Sequence, residues 1–186
     1  PDARPMTQAF NLDRARGWSG HFLLLENQSG AGGSRLWGLD TPEPGEVRLL
    51  SYTALARGGD GLLYFRWRTC RFGAEMYWRG ILDHDDVPRR LYREVAQTGA
   101  ELARVGPALL GTAVKVQAAV AHCDMHVADA DRANYLGLPA PGNVAEWVHN
   151  WLYTAGYAVG CVHPEDDLSG IRLYVIVMGD GIQADV

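Results

Sequence analysis

The sequence predicts an α/β fold, and two patterns indicate it. In the first half, two apolar strand-like runs each lead to an acid: Glu26 after residues 21–25, and Glu75 in the loop beyond residues 61–67. In the second half, a strand, a helix and two further strands follow one another between residues 114 and 178. Strand, loop and helix with an acid just past each strand are typical of a (β/α) barrel. The second pattern is typical of a doubly wound sheet.

Composition and charge narrow the possible partners. The 186 residues carry a net charge of −5, with 47% hydrophobic and 21% charged residues, which is ordinary for a globular protein. This balance gives no electrostatic case for nucleic acid or an anionic membrane as partner. No run of 18 apolar residues predicts a membrane span. Three separated cysteines, Cys70, Cys123 and Cys161, predict reduced thiols and a cytoplasmic setting.

The first half begins with a helix, a strand and a long loop. Residues 1–18 are typical of the end of a helix, and residues 21–25 are apolar without alternation, as in a buried parallel strand. Residues 27–45 contain five Gly and two Pro, which predicts a long loop of the kind that usually has a function. The chain opens Pro-Asp-Ala-Arg-Pro without an initiator Met, so we expect a fragment of a longer protein.

Two more helices flank the second strand of this half. The first follows Pro44-Gly45 and is stopped by Gly58-Gly59. Its buried face is predicted to hold Val47, Leu50, Ser51, Ala54 and Leu55. The strand at 61–67 follows, and residues 89–105 have the apolar spacing of a helix. The segment from Gly106-Pro107 to Gly111 ends this half.

The second half predicts one helix between strands. Residues 114–121 form the first strand, and residues 158–163 and 171–178 form the next two. Asn143 with Glu146 three residues later has the spacing of a capping box, which predicts the start of the helix.

The sequence resembles glycoside hydrolase family 42, the β-galactosidases. Leu25-Glu26-Asn27-Gln28-Ser29-Gly30 resembles the end of the family's seventh barrel strand, and Pro44-Gly45-Glu46-Val47-Arg48 resembles the opening of its seventh helix. The run from Gly59 to Arg68 resembles the eighth strand, and Phe72-Gly73-Ala74-Glu75 resembles the segment beyond it. Asp167 to Val177 resembles, more loosely, the family's trimerisation domain.

The resemblance implies a particular architecture. Residues 1–110 would be the last two β/α units of a (β/α)8 barrel, and residues 111–186 the first part of a flavodoxin-like, doubly wound trimerisation domain. The parent protein would be a homotrimer. A helix face that carries Trp147 and Trp151 fits a subunit interface or the core.

The resemblance also implies roles for individual residues. Glu26 would be the nucleophile of a retaining reaction on terminal β-D-galactosides, and Glu75 would bind a sugar hydroxyl. Trp37 would be a stacking platform for galactose, and Phe65 would wall the sugar pocket. Trp78 stands where the family usually has His, which would exchange a polar contact for stacking.

The same residues have structural interpretations. Glu26 could be a solvated acid at a strand end, and Glu75 could form an ion pair with Arg68 or Arg71. Trp37 could pack on a barrel rim. Phe65 and Trp67, two apart on a strand, could both belong to the core.

Other functions remain open alternatives. The Asn-Glu pair that carries the acid/base in the family belongs upstream of these residues, so a non-catalytic oligomerisation or sugar-binding remnant is one alternative. A freestanding flavodoxin-like domain is another, although no Gly-rich phosphate loop follows residues 114–121. His122-Cys123-Asp124-Met125-His126 does not match a tight zinc spacing, so we expect neither a metal nor a cofactor.

Overall fold

The computed structural model describes residues 4–33, 38–121, 137 and 139–177. The chain divides into two compact units. Leu23–Ala113 form the central unit, and Pro1–Phe22 together with Val114–Val186 form the flanking unit.

Helices and strands alternate along the described residues. Four helices are present: α1 (Arg4–Ser19), α2 (Glu46–Ala56), α3 (Arg90–Leu109) and α4 (Pro141–Thr154). Seven strands are present: β1 (Phe22–Gln28), β2 (Gly32–Gly33), β3 (Gly38–Leu39), β4 (Gly59–Phe65), β5 (Ala118–Ala121), β6 (Val159–Val162) and β7 (Leu173–Val175). The α/β class predicted from the sequence is confirmed.

The central unit is built on β1 and β4, which are hydrogen-bonded neighbours. The strands run in the same direction: Leu23 lies against Gly61 near their starts, and the Ser29 N–H donates to the Phe65 carbonyl at their ends. The prediction of a buried first strand is wrong for this chain. Leu23 and Leu25 are 57% and 60% exposed, because β4 is the only strand that pairs with β1 among the described residues.

Helix α2 packs on β4 and also contacts α3, and its Ser51 accepts a hydrogen bond from Asn27 of β1. Four of the five residues predicted for its apolar face are buried, namely Val47, Leu50, Ser51 and Ala54. Gly58 ends the helix with φ +87°, a left-handed conformation that glycine adopts at no steric cost.

Helix α3 extends further than its sequence predicts. The predicted end at residue 105 is wrong, because the helix continues through Pro107 to Leu109. Proline lacks the N–H and its ring crowds the carbonyl four residues earlier, yet the Leu110 N–H still donates to the Gly106 carbonyl and closes the last turn.

The flanking unit contains a parallel sheet in the order β6-β5-β7. The central strand β5 is entirely buried, as expected for a strand covered on both faces. Placing the first strand between the second and third matches the opening of a flavodoxin-like sheet.

Helix α4 begins earlier than the predicted capping box. It starts at Pro141, a residue pre-organised for the first helical position, and no side chain caps it. Asn143 therefore lies inside the helix, and the Glu146 carboxylate instead accepts a hydrogen bond of 2.7 Å from the Thr7 hydroxyl of α1.

Helix α1 packs in the flanking unit against β6 and α4. Phe10 joins a buried cluster with residues of the sheet and of α4, including Val120, Leu152 and Val159. The domain boundary near residue 110 stays a prediction. The observed packing nevertheless places α1 with residues 114–186 rather than with the strands that follow it.

Two buried polar groups also join α1 to α4. His149 Nε2 lies 2.7 Å from Asp13 Oδ2, and neither side chain is exposed. The Arg16 guanidinium lies 2.7 Å from the other oxygen of Asp13. A buried carboxylate with two such partners has the compensation that burial of a charge requires.

The outer face of α4 carries aromatic residues. Trp147 and Trp151 are 58% and 74% exposed, so the structure does not place them in the core of the described residues. Among those residues, no helix is both long and apolar enough to cross a membrane.

Candidate active site

Glu26 lies in β1, two residues before the strand ends. Its side chain is exposed, and within residues 4–33, 38–121 and 139–177 its carboxylate has no hydrogen bond or ion pair. An exposed carboxylate at a strand end can act as a nucleophile or can be solvated, so its surroundings decide between these readings.

The face of the sheet on which Glu26 lies follows from its neighbours. Asn27 of β1 and Tyr64 of β4 both hydrogen-bond to Ser51, which lies on α2. Side chains alternate along strands, so Glu26 and Phe65 lie on the opposite face from α2. The structure therefore brings these two predicted site residues to one face of the sheet.

The chain after Glu26 is anchored by its polar side chains. Gln28 Nε2 donates to the Asp40 carbonyl at 2.6 Å and to the Gly30 carbonyl at 3.0 Å. The Ser29 hydroxyl donates to the Phe65 carbonyl at 2.7 Å. The first contact holds the long loop against the strand, and the second joins the ends of β1 and β4.

Trp78 packs on the same face as Phe65. Their ring centroids lie 5.8 Å apart with an interplanar angle of 88°, an edge-to-face arrangement favoured for aromatic pairs. Gly32 lies under the Trp78 indole, and a Cβ there would come within 2.7 Å of the ring. The Phe65 and Trp78 rings form an aromatic wall, and Gly32 lies against the indole.

Glu75 is held by Arg66. The Arg66 guanidinium donates to Glu75 Oε2 and to Cys70 Sγ, and it lies 4.5 Å from the centroid of the Phe65 ring. The Glu75 side chain is still 56% exposed. The peptide bond between Phe65 and Arg66 is cis.

The ion pair considered for Glu75 from the sequence has a different partner. Arg68 and Arg71 both lie near Asp86, with N–O distances of 2.7 and 3.7 Å. Arg66, directly after β4, is the arginine that contacts Glu75.

The loops after β1 and β4 approach each other through glycines. The Arg79 N–H donates to the Ala31 carbonyl at 2.7 Å, and a Cβ at Gly30 would lie 2.4 Å from the Arg79 carbonyl oxygen. A Cβ at Gly80 would lie 2.8 Å from the Arg66 carbonyl oxygen. Backbone of this kind cannot move aside as a flexible side chain can, so each position requires glycine.

Asp83 fixes the end of the loop after β4. The backbone N–H of His84 and the Arg79 guanidinium both donate to its carboxylate, and they hold the pKa of Asp83 below its usual value. Asp83 therefore stays ionised near neutral pH and orders the segment that follows Trp78.

Trp67 does not share a face with Phe65, contrary to the prediction. Strand β4 ends at Phe65, so alternation no longer governs the residues beyond it. The Trp67 ring instead lies 6.0 Å from Tyr92 of α3 and is 60% exposed.

Two sequence-based expectations fall beyond the described residues. They concern Trp37 and the segment from His122 to His126, so the role of Trp37 as a stacking platform stays a prediction. Within the described ranges, no cluster of three or more His, Cys, Asp or Glu residues could hold a metal ion.

The central unit also contains a cleft of about 510 Å³. Its lining comes from the two loops and the start of α3, and its charged members are Arg79, Asp83, Arg89 and Arg90. Arg89 forms two hydrogen bonds with Asp85 and holds the pKa of that carboxyl well below its usual value. None of the four predicted site residues that the structure describes, Glu26, Phe65, Glu75 and Trp78, lines this cleft.

Sequence reasoning missed four residues that organise the site: Asn27, Ser29, Ser51 and Arg66. Asn27 and Ser29 belong to a polar run directly after an apolar stretch, and that run was a visible signal. Ser51 was assigned to a buried helix face, where a lone hydroxyl needs partners and therefore predicts a hydrogen-bonded contact.

Comparisons with known proteins decide the family. The glycoside hydrolase family 42 model, described as beta-galactosidase, matches residues 2–105, which is more than half of the chain. The chain belongs to this family. A beta-galactosidase of Geobacillus sp. is 30% identical to this family 42 chain over 165 residues, which make up 84% of the chain and 23% of that protein. One of Clostridium cellulovorans is 37% identical over 100 residues, 53% of the chain and 15% of that protein.

Solved structures support the fold of this family 42 chain. The beta-galactosidase from Bacillus circulans sp. alkalophilus has a TM-score of 0.83 at 23% identity, and the match covers 92% of the chain and 26% of that protein. The enzyme from Halorubrum lacusprofundi has a TM-score of 0.78 at 29% identity, covering 92% and 25% respectively. The chain thus spans about a quarter of the length of these relatives.

Proposed function

We propose that this chain supplies the nucleophile side of a retaining β-galactosidase that acts on terminal β-D-galactosides. The observation that carries the proposal is the placement of Glu26. Its exposed carboxylate lies at the end of β1, on the face opposite α2 that it shares with Phe65. Membership of a glycoside hydrolase family also supports the proposal, because catalytic residues of barrel enzymes lie at the ends of the strands.

The mechanism requires two carboxyl groups about 5–5.5 Å apart. The ionised Glu26 attacks the anomeric carbon, while the second group protonates the departing glycosidic oxygen. Water, deprotonated by that second group, then cleaves the glycosyl-enzyme ester and releases galactose and free Glu26. No cofactor takes part. The family resemblance puts the second group upstream of these residues, so the chain would be the C-terminal portion of the working enzyme.

Residues around Glu26 would bind the sugar. Glu75 would accept a hydrogen bond from a sugar hydroxyl, which is supported by its half-exposed carboxylate and by the Arg66 guanidinium that orients it. Phe65 and Trp78 would wall the pocket, and Trp37 would stack on the galactose ring.

The proposed architecture has two parts. The central unit corresponds to the last two β/α units of a (β/α)8 barrel, supported by its parallel strands and covering helices. The flanking unit corresponds to the start of a doubly wound trimerisation domain, supported by the β6-β5-β7 order. Cys70 and Cys161 are in the reduced state, which fits a cytoplasmic setting.

The assembly would be a homotrimer. The exposed Trp147 and Trp151 of α4 support an interface on the flanking unit, because large aromatic residues are enriched where subunits meet. Light scattering of the full-length protein at micromolar concentration should give three times the mass of one chain. A stable monomer under these conditions would exclude this assembly.

Substitution of the two acids tests the activity. In the full-length protein, Glu26→Gln should lower kcat by roughly 10³-fold or more, and azide should partly restore turnover to Glu26→Ala by taking the place of the missing carboxylate. Glu75→Gln should lower kcat/KM by only about 10- to 100-fold, the effect of one hydrogen bond to a charged group.

Glu165→Gln is the matched control, because that side chain is 89% exposed in the flanking unit and should leave both constants unchanged. Near-normal turnover by Glu26→Gln would exclude Glu26 as the nucleophile. Residues 1–186 alone should not hydrolyse a nitrophenyl galactoside, since two of eight β/α units cannot form the closed barrel that holds the sugar. Turnover by that chain, abolished by Glu26→Gln, would contradict this part of the proposal.

A further inference from the structure

A buried hydrogen-bonded network lies on the α2 side of the sheet, behind Glu26. Ser51 Oγ lies 3.3 Å from Asn27 Nδ2, 2.8 Å from the Tyr64 hydroxyl oxygen and 2.6 Å from the Val47 carbonyl oxygen. Ser51 is 0% exposed and Asn27 is 2% exposed. Water therefore has little access to these groups.

The direction of each hydrogen bond in the network follows from the chemistry of its members. A serine hydroxyl has one proton and two lone pairs. The proton of Ser51 is donated to the Val47 carbonyl within α2, so both lone pairs are available to accept from the Asn27 amide and the Tyr64 hydroxyl. Burial raises the pKa of Tyr64, which keeps the proton that this bond requires.

The network joins both strands to the same atom. Asn27 belongs to β1 and Tyr64 to β4, so Ser51 Oγ fixes the ends of the two strands relative to α2. Glu26 precedes Asn27, and Phe65 follows Tyr64. Movement of either strand end at Ser51 would therefore shift these two residues on the opposite face.

We propose that Ser51 is a positioning residue, which sets the orientation of the Glu26 carboxylate toward the anomeric carbon through its bonds to Asn27 and Tyr64. This inference rests on the proposed function of Glu26. A catalytic carboxylate must be held close to its productive geometry, and groups that do not touch the substrate often provide that support.

The test uses an inactivator rather than turnover alone. An activated 2-deoxy-2-fluoro-galactoside reacts with the nucleophile of a retaining enzyme and leaves a slowly hydrolysed glycosyl-enzyme. Its limiting first-order rate constant, kinact, reports on each folded active site. The value is therefore independent of the fraction of protein that is folded, whereas kcat measured against total protein is not.

Three variants of the full-length protein separate positioning from stability. Ser51→Ala removes the acceptor from both partners and should lower kinact by about 10-fold with little change in the inactivator's half-saturating concentration. Ser51→Cys keeps a weak acceptor and should give an intermediate value. Ala54→Gly is the matched control, because it weakens the same buried helix without touching the network, and its kinact should equal that of the wild type.

The outcomes distinguish the two proposals. A wild-type kinact in Ser51→Ala overturns the positioning role, as does an equal loss in Ala54→Gly, which would indicate general loosening of α2. If Ser51→Ala does not fold, the kinact of Ser51→Cys decides in the same way. Failure of the inactivator to react with the wild-type enzyme would instead overturn the proposed function itself.

Discussion

Gly30 offers a direct test of how the two loops form the site. Substitution by Ala would place a methyl group 2.4 Å from the carbonyl oxygen of Arg79 and 2.6 Å from its Cβ. Ordinary contact begins at 3.4 Å, so the loops would have to separate by about 1 Å. Arg79 follows Trp78 directly, so the same movement would shift the indole away from Phe65.

Two effects of this substitution can be given a magnitude. Overpacking of a tight contact costs about 1–3 kcal/mol of the free energy of unfolding. A displacement of about 1 Å at a reacting site can cost up to about 10²-fold in rate, which corresponds to about 2.7 kcal/mol of activation free energy. We therefore expect Gly30→Ala to lower kcat/KM by about 10- to 100-fold and the free energy of unfolding by about 2 kcal/mol.

The assay combines steady-state kinetics with a nitrophenyl galactoside and urea unfolding of the full-length protein. Gly99→Ala is the control, because Gly99 lies in α3 with no atom within 4 Å of an added Cβ. It should leave kcat/KM unchanged and gain up to about 1 kcal/mol of stability from helix propensity. Wild-type kinetics and stability in Gly30→Ala would refute the close approach of the loops.

Two further predictions concern buried polar groups. Burial raises the pKa of Tyr64, so above about pH 10, where Tyr64 ionises in the unfolded state first, wild-type stability should fall more steeply than that of Tyr64→Phe. Calorimetry from about pH 8 to about pH 11 should thus show that the Tm difference between the wild type and Tyr64→Phe narrows as the pH rises. A constant difference would contradict the raised pKa of Tyr64. His149→Ala should cost about 3 kcal/mol in urea unfolding, because it removes a buried side chain and leaves Asp13 Oδ2 without its partner. The same substitution at the half-exposed His163 should cost less than about 0.5 kcal/mol. Equal losses of stability in the two variants would contradict this role of His149.

Local sequence patterns predicted most elements of the fold. The spacing of apolar residues predicted the buried face of α2, and glycines marked the end of that helix. A polar residue that ends an apolar run is a local signal, and it indicated Glu26 near the end of the first strand, although β1 continues two residues beyond it. Such features depend on residues a few positions apart, which a single sequence displays.

Contacts between distant residues could not be predicted in this way. Asp13 and His149 are 136 positions apart, and nothing local indicates that an acid in α1 meets a histidine in α4. Glu146 was predicted to cap its own helix but binds Thr7, 139 positions away. Each outcome depends on which surfaces pack together, and the packing is decided by the whole chain.

The positions of the two acids along the chain were more predictable than their contacts. The sequence indicated that Glu26 and Glu75 follow neighbouring strands, yet it did not show that Arg66 holds Glu75 or that β4 ends at Phe65. The end of β4 turns Trp67 toward Tyr92, and strand alternation cannot predict a residue beyond the strand.

Mapping the residue labelled by the fluoro-galactoside tests the central proposal most directly. Trypsin would cut after Arg16, Arg35, Arg71 and Arg79, so Glu26 and Glu75 would fall in separate peptides, residues 17–35 and 72–79. Mass spectrometry of the inactivated full-length protein should find the glycosyl group in peptide 17–35, with fragment ions that place it on Glu26. A label in peptide 72–79, or in any peptide outside residues 17–35, would contradict the assignment of Glu26 as the nucleophile.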